Sequence, residues 1–197
     1  REMNRLVIEE GYSRSDIAVM YRVNAQSQAL EVACQRYGIP YQLVGSLRFY
    51  QRQEIKDVIA YLRLVANSND DVSLGRVINL PHRGIGERTL GELTKMARDF
   101  GVSMYAAIES LSQDKASGSP DQKSIQPRSA RALTDFRELI MSLISESETL
   151  DLMDLIDLVL ERTSYKRYVQ EETERGAERW ENLLEFRNTA REFLDLD

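Results

Sequence analysis

One cysteine, Cys34, and one histidine, His82, stand among 197 residues. No intramolecular disulfide can form, and no zinc site can be built from cysteines. Cys34 lies in a stretch that reads as a helix facing a core, the usual place for a free thiol. His82 has no serine or cysteine nucleophile arranged with it, so it reads as a turn or phosphate-side residue and not as a catalyst. The longest apolar runs are a few residues, far short of the ~20 that cross a bilayer, and no basic-then-apolar leader opens the chain. A cytoplasmic origin is the expectation. There is no Gly-x-x-x-x-Gly-Lys-Ser/Thr loop and no Asp-Glu pair suited to Mg2+, so a phosphate cradle for a nucleotide is missing. The acidic row Asp151, Asp154, Asp157 and Glu161 has helical spacing without the glycine of a calcium loop. It reads as a solvated face, and no metal site is expected.

What remains is an ordinary globular composition, 42% hydrophobic and 29% charged, enough to bury a core in one domain or two small ones. The net charge of −6 argues against a generally basic nucleic-acid coat. Its distribution is uneven. From residue 134 onward there are 17 acidic and 8 basic residues, a balance of −9 that leaves +3 for residues 1–133. Any contact with DNA is therefore expected in the first two thirds. Helical spacing is already under way at Met3, Leu6 and Val7, and the chain stops just after the stripe Leu183, Leu184, Phe186, Ala190 and Leu194. Both ends read as cuts within a longer protein.

Residues 16–23, Asp-Ile-Ala-Val-Met-Tyr-Arg-Val, are apolar on both alternating faces up to Arg22, which predicts an interior parallel strand. Asn24 suits the N-cap of a following helix with Leu30, Ala33, Cys34 and Tyr37 along one side, stopped by Gly38 and Pro40. Residues 41–44 then predict a second short strand. A βαβ unit of this kind implies a sheet larger than two strands, with its remainder outside this chain. Apolar spacing at Ile55, Val58, Ile59, Leu62 and Val65 predicts a helix over 53–66. Helices are also predicted over 71–79, 87–100, 103–112, 129–145, 150–162 and 175–194, with a disordered excursion at 113–127. The expected fold is thus an α/β subdomain with a short parallel sheet followed by a mainly α-helical one.

Two constellations could carry chemistry. Tyr21 and Arg22 end the predicted interior strand, where open α/β sheets place their ligands. An aromatic ring there can stack on a base, and an arginine fork can hold a phosphate; the alternative is a structural arginine paired with Glu31. The second is Asn79-Leu-Pro-His-Arg-Gly-Ile-Gly-Glu-Arg-Thr89 between two predicted helices. Gly84 and Gly86 permit a tight turn and close approach to a ligand, and Ile85 can plug the helix junction. Amides opening the next helix favour a phosphate, and Arg83 and Arg88 flank the turn, with Arg76, Lys95 and Arg98 near in sequence. Such an arrangement suits a sequence-independent grip on a DNA backbone. An ordinary helical hairpin turn is the alternative. Trp180 and Phe186 read as core anchors.

With these pieces in order, the whole chain resembles the UvrD/PcrA/Rep (superfamily 1A) family of DNA helicases. Asp16 to Asn24 with Ser27 and Glu31 looks like the family's motif IV, and Gly45 to Asp57 followed by Ala60-Tyr-Leu-Arg63 looks like the segment after it. Pro81-His-Arg-Gly-Ile-Gly86 and Arg179-Trp-Glu-Asn-Leu183 match two more signatures, although Trp180 is bulkier than expected there. The resemblance implies that residues 1–70 are the first part of the second RecA-like motor domain (2A). It implies that 71–197 are its helical, duplex-binding insertion (2B). Tyr21 would meet the nucleotide and Arg22 its γ-phosphate, as the catalytic arginine. Arg83, Gly84, Ile85, Gly86, Arg88 and Thr89 would meet duplex DNA in helix-hairpin-helix fashion, while Arg48, Arg52 and Lys56 would shape a DNA or interdomain surface. ATP and Mg2+ would serve the parent, a 3′-to-5′ helicase of repair or replication. This piece would bind neither alone and would be inactive. Partners implied are duplex DNA and its single-stranded junction, the rest of the helicase and repair proteins. A stand-alone DNA-binding module, the helicase part of a RecB-like helicase-nuclease, and an acidic protein-interaction module stay open as alternatives.

Overall fold

A computed structural model describes residues 2–22, 24–43, 49–113, 125–172 and 175–194. Val44, Arg48 and all but the ends of the predicted excursion at 113–127 lie outside them. The chain divides into two compact units, Arg1–Ser46 and Leu47–Asp197.

In the first unit, α1 (Glu2–Ile8) is followed by a 3-10 turn, Arg14–Asp16, closed by a reciprocal capping box between Ser13 and Asp16. The sheet predicted here is not formed: among the described residues there are helices and turns but no strand. The α/β expectation is therefore corrected to an all-α fold. Alternating apolar residues supply the faces of a strand, but a strand exists only through a hydrogen-bonded ladder, and no described segment supplies the partner. The unladdered apolar side chains are left outside, with Val19 52% and Met20 94% exposed.

The helix expected after Asn24 begins with a 3-10 turn, Asn24–Gln26, and continues as α2 (Ser27–Arg36). Gly38, at φ +61, stops it, and the Ile39 amide reaches back to the Cys34 carbonyl at 2.8 Å. Its expected apolar stripe is not the inner face. Tyr37 is exposed and Cys34 half-buried, whereas Ser27, Gln28 and Glu31 are buried. Two of these are matched locally: the Glu31 carboxylate accepts from the Ser27 hydroxyl at 3.1 Å and the Tyr41 hydroxyl at 3.2 Å. Among the described residues, every member of the buried hydrophobic core lies in the second unit.

That second unit is built around α3 (Gln53–Ala66), whose Ile55, Val58, Tyr61 and Leu64 are fully buried. Around it stand α4 (Asp71–Val77), α7 (Pro127–Ser147), α8 (Leu152–Arg162) and α10 (Gly176–Leu194). The pair α5 (Glu87–Phe100) and α6 (Met104–Gln113) joins through α4 and α7, and α9 (Tyr165–Glu172) lies against α8 and α10. Helix ends follow local chemistry. Asp70 and Asp151 accept amides in the first turns of α4 and α8, Pro127 opens α7, and Gly101 at φ +65 closes α5. At Gly176 the α9 backbone comes so close that a Cβ would lie 2.5 Å from the Val169 carbonyl oxygen.

Buried charged side chains are partnered. Asp57 accepts from Arg76 at 2.6 and 2.7 Å and from the Tyr165 hydroxyl at 2.6 Å. Asn182 of α10 accepts from Arg52 and donates to Glu54, each at 2.7 Å. Of the residues expected to shape a DNA or interdomain surface, Arg52 is thus buried, Lys56 is exposed and Arg48 falls outside the described residues. No described helix is long and apolar enough to cross a membrane.

Candidate functional site

The segment between α4 and α5 is short, and its backbone needs partners that neither helix supplies. Asn79 provides them from within: its Oδ1 accepts the Arg83 amide at 2.8 Å and the Ile85 amide at 3.1 Å. One carboxamide thereby fixes the loop on both sides of Gly84. Gly84 sits at φ +79, in the left-handed region that glycine enters without steric cost. Ile85 then turns inward and is 2% exposed, plugging the α4–α5 junction as its position predicted. Gly86 is the N-cap of α5, with no side chain to cap the helix. Both glycines are exposed, and a Cβ on either would meet nothing within 4 Å. The uncapped amides that open α5 carry the positive end of the helix dipole.

The flanking residues take different directions. Arg88 is exposed and pairs with Glu92 one turn along, at 3.0 Å. Thr89 is buried, and its hydroxyl donates to Ser129 of α7 at 3.2 Å, bringing the first turns of α5 and α7 together. His82 is exposed. Lys95 and Arg98 flank a shallow groove on α5 with Glu87, Leu90, Gly91 and Thr94. Arg76, near in sequence, is committed to Asp57.

Arg83 is half-buried and directed into the unit. Its Nη1 donates to the carbonyls of Val77 and Pro81, both at 3.2 Å, and of Ile78 at 3.5 Å. Nη2 donates to the Tyr61 hydroxyl at 2.9 Å and the Thr163 carbonyl at 3.5 Å, and the guanidinium lies 5.4 Å from the centre of the Phe136 ring. Burial pushes the Tyr61 phenol up to about 12, against the opposing pull of the adjacent Arg83 charge. It therefore stays protonated and donates to the Val77 and Leu80 carbonyls. Asn79 was legible as a polar residue opening the loop. Tyr61, Phe136 and Thr163 come from α3, α7 and the end of α8, and nothing local in the sequence joins them to the turn.

Tyr21 and Arg22 belong to the first unit and the turn residues to the second. Tyr21 is half-buried; Arg22 is exposed, and its amide donates to Gln26 Oε1 at 3.1 Å. The structural alternative, an Arg22–Glu31 pair, is not formed, and among the described residues the Arg22 guanidinium makes no hydrogen bond or ion pair. The acidic row on α8 also has structural work: Asp151 caps the helix, and Asp157 holds Arg187 of α10 through two oxygens at 2.6 to 2.8 Å.

Comparison with known proteins adds an independent line. A family model described as the UvrD-like helicase C-terminal domain matches residues 1–197. DNA helicase II of Haemophilus influenzae is 40% identical over 191 residues, which cover 96% of this chain and 25% of that protein. DNA helicase II of Escherichia coli is 40% identical over 94% of this chain and 25% of its own length. The ATP-dependent DNA helicase PcrA of Staphylococcus aureus is 36% identical over 93% of this chain and 24% of its own length. The chain spans about a quarter of the length of these relatives.

Proposed function

This chain belongs to the UvrD-like helicase C-terminal domain family, and from that membership we propose that it is one part of an ATP-dependent 3′-to-5′ DNA helicase acting in repair or replication. Residues 1–70 are read as the first part of its second motor domain and 71–197 as the insertion that grips the duplex, although the compact units divide at Ser46 and α3 packs with the second of them. The glycine turn carries this reading. Its glycines are open to the outside, its backbone is fixed from within by Asn79, and the amides of α5 lie uncapped behind it. Such a surface takes a phosphate backbone at close range without reading sequence. Within the site, Gly84, Gly86 and Arg88 face the duplex, while Arg83, Ile85 and Thr89 hold the turn in place.

Tyr21 and Arg22 serve the nucleotide. The exposed Arg22 guanidinium, without a side-chain partner among the described residues, fits a phosphate oxygen and can neutralise charge as the γ-phosphoryl group leaves. ATP with Mg2+ supplies the reacting phosphate when bound to the whole protein. The phosphate cradle is not among these residues. In the complete protein, Arg22→Ala is expected to lower ATP turnover by roughly a hundredfold or more with an unchanged melting temperature. Unaltered turnover would refute the role.

A further inference from the structure

We propose that Arg83 is the positioning residue of the duplex-binding turn, acting as an internal clamp on the loop and not as a phosphate contact. The inference rests on the DNA-binding reading of the turn and adds how its shape is held. The carbonyls of Val77 and Ile78 close α4, and that of Thr163 caps the end of α8. Carbonyls in these positions lack intrahelical partners and carry the negative ends of helix dipoles. The Arg83 guanidinium meets both helix ends at once, together with the Pro81 carbonyl inside the loop, the Tyr61 hydroxyl of α3 and the Phe136 ring of α7. Its own amide is held by Asn79, so backbone and side chain of one residue fix the loop directly before Gly84. A planar fork with five N–H donors can serve acceptors spread this way. A lysine ammonium has the charge but not the reach in two directions.

This separates two roles with one substitution. A phosphate contact needs positive charge, which Arg83→Lys preserves; a clamp needs the fork, which it removes. Binding of the complete protein to a fluorescein-labelled hairpin duplex, read by anisotropy at several salt concentrations, decides between them. Each variant is measured at a temperature where circular dichroism shows it folded. The clamp predicts that Arg83→Lys weakens binding at least tenfold, to within about twofold of Arg83→Ala, with faster hydrogen exchange at the Arg83 and Ile85 amides. Wild-type affinity in Arg83→Lys, or unaltered exchange at those amides, overturns it. Should Arg83→Lys not fold, Tyr61→Phe is read instead. The Tyr61 side chain is fully buried and cannot touch DNA, so weakened binding there supports the clamp and wild-type binding overturns it. Gly86→Ala tests the underlying reading. If it binds DNA normally, the turn is not the DNA surface; if it fails while Arg83→Lys binds normally, only the clamp is lost.

Discussion

The two glycines of the turn look alike in sequence but should respond differently to the same added methyl group. Gly86 has φ −80° and ψ 173°, angles alanine adopts without strain, and its Cβ would meet nothing within 4 Å. Alanine there restricts the unfolded chain, a gain of about 0.4–1 kcal/mol. It is also a poorer N-cap than glycine, a loss of similar size. The two offset, so Gly86→Ala should leave stability within about 0.5 kcal/mol and the melting temperature within about 2 °C. Gly84 has equal space but sits at φ +79°. A left-handed alanine costs about 1–2 kcal/mol, which lowers the melting temperature of a unit this size by about 2–8 °C. Against duplex DNA both should lose at least tenfold in affinity, about 1.4 kcal/mol, because each methyl stands where a phosphate backbone would approach. Thermal melts by circular dichroism and anisotropy titrations at two salt concentrations measure both quantities. The informative variant is Gly86→Ala, expected to be stable yet at least about tenfold weaker in binding. Wild-type affinity and salt slope in that variant would refute the close approach.

Burial holds the Asp57 carboxyl above the usual carboxylate range, only partly opposed by Tyr165 and Arg76. The folded protein thus binds this proton more tightly than the unfolded chain, and the group's contribution is full below about pH 4 and is lost as pH rises through the folded value. Urea unfolding should show the stability of the wild type relative to Asp57→Asn shrinking from pH 4 towards pH 7, and a constant difference would exclude the raised value. At the α9–α10 junction, Gly176→Ala places a methyl 2.5 Å from the Val169 carbonyl oxygen and 2.6 Å from that of Gln170. Both are backbone atoms, so the helices must part, at a cost of about 1–3 kcal/mol. An unchanged denaturation midpoint would show that the packing there is looser than described.

The helical half was legible because its rules are local. The stripe through Ile55, Val58, Ile59, Leu62 and Val65 marked α3 to the residue, and α5 likewise, since apolar spacing and the Gly86 and Gly101 boundaries all lie within one segment. The eight-residue α9 was unread because Tyr165, Tyr168 and Val169 make too short a stripe to stand out between charged neighbours. The first unit was misread for a different reason. A strand needs a partner, so alternation over 16–23 could not reveal that none of the described segments pairs with it. Nor could the stripe on α2 show that Ser27, Gln28 and Glu31 would be the side turned inward.

The candidate site divides along the same line. Its glycine geometry and the inward Ile85 followed from the chain alone, because backbone freedom and helix capping act over three or four residues. The direction of Arg83 did not. Two helix ends, a tyrosine 22 residues earlier and the Thr163 carbonyl 80 residues later converge on one guanidinium. Competition between those buried acceptors and an external phosphate is settled only where distant segments pack, since a hydrogen bond depends on distances between groups and not on their order along the chain.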